Sequence, residues 1–101
     1  MVPHEVFAAL ADPTRLDVLT RLAKGGPATA TELSVSVPVS RQAITKHLAA
    51  LDAAGLVDRN PSGREVRYSF DPSPLGDLVK WVEGVGDTWD RRLERLGSTL
   101  E

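Results

Sequence analysis

Breaks in helical pattern come so often through the first three quarters of this chain that no long helix can form there. Asp12-Pro13, Gly25-Gly26, Pro38, Gly55 and Asn60-Pro61-Ser62-Gly63 each start or stop an element. Only after Asp71-Pro72-Ser73-Pro74 does an apolar pattern run on uninterrupted. The chain must fold as several short helices, one hairpin and a long final helix. Its 101 residues suit a single domain, residues 1–101, with one modest core.

Each short element carries its own start and stop. Residues 4–10 form a brief apolar segment with Val6, Phe7 and Leu10. Asp12 reads as a helix cap and Pro13 as the first helical residue, where a missing N–H costs nothing. Leu16, Leu19 and Leu22 follow at helical spacing, and Gly25-Gly26 end the run. Thr29-Ala30-Thr31-Glu32 is a capping box that opens a short helix with Leu33 and Val37. Ser40 caps the next helix, about residues 40–54, which Gly55 ends. Ile44, Leu48 and Leu51 share one face of it, while Gln42, Thr45, Lys46 and Ala49 fall on the other.

Paired strands are expected next, in a hairpin spanning about 56–70. The sequence assigns Leu56–Arg59 to one strand and Glu65–Phe70 to the other, joined by a type I turn at Asn60-Pro61-Ser62-Gly63. In the second strand Val66, Tyr68 and Phe70 alternate with Glu65, Arg67 and Ser69, which gives the hairpin a basic outer edge. The last helix, about 74–99, has Ser73 as its expected cap and Pro74 at its first position. Its stripe of Leu75, Leu78, Val82, Val85, Trp89, Leu93, Leu96 and Leu100 requires a partner surface.

Charge is unevenly spread. The formal net charge is −2, yet residues 40–70 carry five basic groups (Arg41, Lys46, Arg59, Arg64, Arg67) against three acidic ones, and the segments on either side are net acidic. A compact basic patch on an acidic protein can bind phosphate while limiting unspecific attachment. Two short helices followed by a basic hairpin is the order of a winged helix-turn-helix, a mainly α fold with a small β-hairpin. A helix fits the major groove of DNA, where its outward side chains reach base edges. Here those are Arg41, Gln42, Thr45 and Lys46, with Ser40 and the free amides of the helix start available to a phosphate. Gln pairs bidentately with adenine and Arg with guanine, and the Thr methyl suits thymine. Arg64 and Arg67 would grip the backbone or minor groove from the wing.

The run Phe7-Ala8-Ala9-Leu10-Ala11-Asp12-Pro13-Thr14-Arg15-Leu16 resembles the opening of the ArsR/SmtB family of bacterial repressors. Ser40-Arg41-Gln42-Ala43-Ile44-Thr45-Lys46-His47-Leu48, then Leu51 and Ala54-Gly55-Leu56-Val57, resembles its recognition helix and strand entry, and Gly63-Arg64 with Tyr68 its wing. The resemblance implies a homodimer on palindromic operator DNA, joined through its first and last helices. Val6, Phe7, Leu78, Val82, Val85, Trp89, Leu93 and Leu96 would then form the interface.

One departure from the family pattern bears on function. Metal-sensing relatives carry a Cys-x-Cys pair on the helix before the recognition helix, and the matching positions here are Ser34 and Ser36. Serine hydroxyls are poor ligands for soft or borderline metals. The family's other site uses Asp and His on the last helix, which has Asp77 but no histidine. No metal, cofactor or membrane association is therefore expected, and the cytoplasm is the expected location. His47 flanks the apolar face of its helix and suits packing or hydrogen bonding, and His4 has no assignable role. Gly84 and Gly86 fit either local fraying or close approach of a second helix. Nothing resembles a catalytic set, so an enzyme is not expected. A protein-interaction module without DNA binding and a small-molecule-responsive regulator stay open as alternatives.

Overall fold

The computed structural model describes residues 3–100, with the side chains of residues 3–88, 91 and 92. In chain order the elements are α1 (His4–Leu10), α2 (Pro13–Gly25), β1 (Ala28–Thr29), α3 (Ala30–Ser36), α4 (Arg41–Ala53), β2 (Val57–Ser62), β3 (Glu65–Phe70) and α5 (Leu75–Leu100). The strands form one antiparallel sheet in the order β1-β3-β2.

The caps act where the residues place them. Asp12 accepts a hydrogen bond from the Arg15 amide at 3.0 Å and starts α2. Thr29 and Glu32 close a reciprocal capping box at the start of α3. Ser40 Oγ accepts from the Ala43 amide at 3.1 Å and starts α4. At the far end of α4 the Gly55 amide donates to Asp52 and the Leu56 amide to Leu51, both at 2.9 Å, with Gly55 at φ +75°. That is a Schellman closure, and the two residues that customarily make its apolar contact, Leu51 and Leu56, are both fully buried in one core. The stop that ends α4 therefore also delivers the chain into β2 with Leu56 already in the core.

The core is formed by α2, α3, α4 and the inner face of the sheet. Val18, Leu22, Leu33, Val37, Ile44, Leu48, Leu51, Leu56, Val57 and Tyr68 are buried in it. Arg15 ties α1 to this body, its guanidinium donating to the Ala9 carbonyl at 3.4 Å.

Three expectations are corrected. The hairpin turns at Gly63-Arg64, two residues later than the Asn60-Pro61-Ser62-Gly63 pattern suggests, because Pro61 pairs with Val66 and Ser62 with Glu65. Longer strands gain two further pairs, and Gly63 supplies φ +61° at the first position of a two-residue turn. The hairpin is also not alone. β1 joins it, with Ala28 opposite Tyr68 and Thr29 opposite Arg67. Ser73 does not cap α5 with its oxygen. Its amide and hydroxyl both donate to Asp71 Oδ1, and helix α5 begins at Leu75. Val6, expected at the interface, is 7% exposed within the single chain and packs into its own core.

Helix α5 behaves differently from the rest. Its 26 residues are about 39 Å long. Leu75 and Leu78 pack against the core, but beyond them Val79, Trp81, Val82 and Val85 are exposed. The molecule measures 65 × 25 × 20 Å, with a radius of gyration of 18.0 Å where a compact chain of this length has about 13 Å. Among the described residues no helix is long and apolar enough to cross a membrane.

Candidate nucleic-acid interface

Helix α4 is fixed from behind. Ile44, Leu48 and Leu51 are fully buried, so the helix cannot roll without opening the core. The opposite face presents Ser40, Arg41, Gln42, Thr45, Lys46 and Ala49, all exposed. The helix is thus a rigid rail with a polar side directed outward, the form needed to enter a major groove.

Two of these side chains are already oriented. Ser40 Oγ is held as the cap, which leaves its hydroxyl hydrogen to donate outward beside the free amides of Arg41 and Gln42. Thr45 donates its hydroxyl to the Arg41 carbonyl at 3.0 Å, so its methyl is the group left unengaged. An apolar methyl presented on this face suits the thymine methyl.

The wing joins α4 across a groove of about 560 Å³ lined by Thr31, Glu32, Arg41, Thr45, Arg59 and Arg64, among others. Arg59 lines this groove although it is not among the residues that the sequence marks for DNA. It pairs directly with Tyr68, so both side chains lie on the same face of the sheet, toward α4. Strand alternation around Tyr68 was the signal that could have found it.

Arg67 is placed differently. Its guanidinium meets Glu32 at 3.2 Å and Glu65 at 3.6 Å, on the sheet face opposite Tyr68. The Thr29 amide, then the Thr29 side chain and then Arg67 hold the Glu32 carboxyl below the usual carboxylate range. Arg67 therefore fastens the wing to α3. Of the seven residues expected to touch DNA, the structure brings Arg41, Thr45 and Arg64 together on one groove, sets Ser40, Gln42 and Lys46 along the same helix, and draws Arg67 aside.

The two serines at the metal-ligand positions are turned inward on their own helix. Ser34 Oγ donates to the Thr31 carbonyl at 2.7 Å and Ser36 Oγ to the Leu33 carbonyl at 3.3 Å. Among the described residues no group of three or more His, Cys, Asp or Glu side chains converges as a metal site would.

On the face away from α4, Phe7 of α1 meets Trp81 of α5 edge to face, centroids 5.3 Å apart and planes at 81°. Both rings are 37% exposed. Of the expected interface, Phe7, Val82 and Val85 lie open on this side, Leu78 is partly covered, and the side chains of Trp89, Leu93 and Leu96 lie outside the described residues.

A rigid outward helix, a helix packed behind it and a hairpin beside it define a winged helix-turn-helix, a DNA-binding module of transcriptional regulators. A family profile described as "Helix-turn-helix domain" matches residues 10–60. The chain is similar to the transcriptional repressor SdpR of Bacillus subtilis, 33% identical over 79 residues that cover 78% of this chain and 87% of that protein. Among solved structures, the ArsR-like transcriptional regulator from Rhodococcus is 43% identical, with TM-score 0.80 and coverage of 98% of this chain and 92% of that one. The homodimeric winged helix-turn-helix DNA-binding domain from Mycobacterium bovis is 26% identical, with TM-score 0.66 and coverage of 83% and 77%. The chain belongs to the ArsR family of helix-turn-helix transcriptional regulators.

Proposed function

We propose that this chain is a dimeric repressor that binds an inverted-repeat operator and carries no metal switch at the positions its relatives use. The observation that carries the reading is α4, whose inner residues are wholly buried while Arg41, Gln42, Thr45 and Lys46 stand exposed. Gln42 reads adenine, Arg41 reads guanine, the Thr45 methyl meets thymine, and Lys46 and Ser40 hold phosphates. The exposed apolar side of α1 and α5 supports pairing with a second copy, and the Mycobacterium bovis relative is homodimeric. Two-fold symmetry then sets half-sites about one helical turn apart or a multiple of it. The cytoplasm is the compartment where such a reader meets DNA.

Footprinting on the DNA upstream of its own coding sequence tests the operator. The expected result is a protected inverted repeat whose affinity falls steeply with salt. Absence of any shift at low salt defeats autoregulation. Titration calorimetry with zinc tests the metal reading, and tight stoichiometric binding that weakens operator affinity would defeat it.

A further inference from the structure

We propose that Arg59 and Arg64 hold the DNA sugar-phosphate strand in the slot between α3, α4 and the wing, and that Arg67 serves it indirectly by partly masking Glu32 and Glu65. The proposal rests on the reading that α4 and the wing take DNA, and it assigns roles within that surface.

The groove holds about 560 Å³ and has Arg41 and Thr45 on its helix side, Arg59 and Arg64 on its wing side. Among the described residues no ion pair engages Arg41, Arg59 or Arg64. Arg59 and Arg64, two unengaged guanidiniums on the wing side of one channel, suit a polyanion that passes beside them, since a guanidinium takes phosphate oxygens bidentately. A strand held there lies beside α4 while that helix occupies the major groove, so the contact is to backbone and carries no sequence information.

Two carboxylates also line the channel, Glu32 and Glu65. Left bare they would repel a phosphate. Arg67 spans both, at 3.2 and 3.6 Å, without itself lining the groove. Its positive charge is consumed in place, and its effect on DNA is to offset about half of that repulsion. Glu32 is retained for a separate reason, because it closes the capping box that starts α3.

The test uses the full chain and a fluorescent mixed-sequence duplex, with anisotropy followed over a series of salt concentrations and circular dichroism confirming each fold. Arg59→Gln is expected to weaken binding regardless of sequence and to flatten the log–log salt slope by about 0.9, the share of one phosphate. Arg59→Lys should keep the wild-type slope. Arg67→Gln is expected to weaken binding. Adding Glu32→Gln and Glu65→Gln to it should return affinity to the wild-type level or above, with the wild-type salt slope. Glutamine at position 32 preserves the capping box. An unchanged slope in Arg59→Gln overturns the slot, and a triple variant as weak as Arg67→Gln overturns the masking. A wild-type chain that binds no duplex at any salt overturns the repressor reading and the slot with it.

Discussion

Helices α4 and α5 carry apolar stripes of similar spacing and treat them in opposite ways. On α4, Ile44, Leu48 and Leu51 are fully covered by the chain's own core. On α5, Val82 and Val85 are 53% and 37% exposed, and the helix runs well past the body it starts from. Apolar periodicity states that a face must be covered, without stating by what. The α4 stripe has its partners within the same chain, on α2, α3 and the strands. The α5 stripe is left for something outside it. The difference separates the stability of the fold from the assembly of the regulator, and each can be disturbed without the other.

The largest effect should come from the covered stripe. Leu48→Ala should cost about 2–5 kcal/mol of folding stability, read as a lowered urea midpoint, because it leaves a cavity at a fully buried position. On the open stripe, Trp81→Ala should leave the urea midpoint of a dilute sample nearly unchanged yet weaken self-association by about 2 kcal/mol, the scale of a buried aromatic anchor, in sedimentation equilibrium. Equal losses in both measurements would erase the distinction between the two helices. Gln42→Ala on the outer face of α4 should cost about 1–3 kcal/mol of discrimination at one base pair and leave the salt slope as it was.

Gly84→Ala sharpens the comparison further along α5. A Cβ there meets nothing within 4 Å, and the helix passes through without a break. The change should therefore raise helix stability by about 1 kcal/mol. A weakened dimer instead would place a partner's helix against that glycine.

The smallest effect concerns pH and falls on the covered region. The Arg15 amide, foremost, holds the Asp12 carboxyl below its usual range, with help from the nearby His47. The Ser73 hydroxyl and then the Ser73 amide do the same for Asp71. For a carboxyl depressed in the folded state, the stability it contributes is complete above its unfolded value and is lost as pH falls through the folded one. Urea midpoints should thus be flat near neutrality and decline below about pH 4. Asp12→Asn keeps a capping oxygen without the charge and should flatten part of that decline.

The sequence stated local rules well and long-range pairings poorly. Asp12, Thr29 and Ser40 cap their helices because a cap involves only neighbours three residues on. The partnership of Arg67 with Glu32 spans half the fold, and no local pattern announces it. The wing turn was misplaced because Asn60-Pro61-Ser62-Gly63 satisfies a turn template that knows nothing of the strand opposite. The Gly63-Arg64 step makes the real turn, because Ser62 pairs with Glu65. β1 has only two residues, too few for any periodicity, and it exists because Ala28 and Thr29 meet an unpaired edge of β3. Arg59 was visible as a charge but not as a wall of the groove, since its face depends on the register with Tyr68.

Pro61, counted first as part of a turn, lies instead within β2, the outermost strand of the sheet. A proline there offers no N–H to a newcomer. A chain with an exposed apolar helix face has, in its wing, an edge strand poorly suited to being extended by another. Fibre-like stacking of copies through the wing is discouraged by one imino acid.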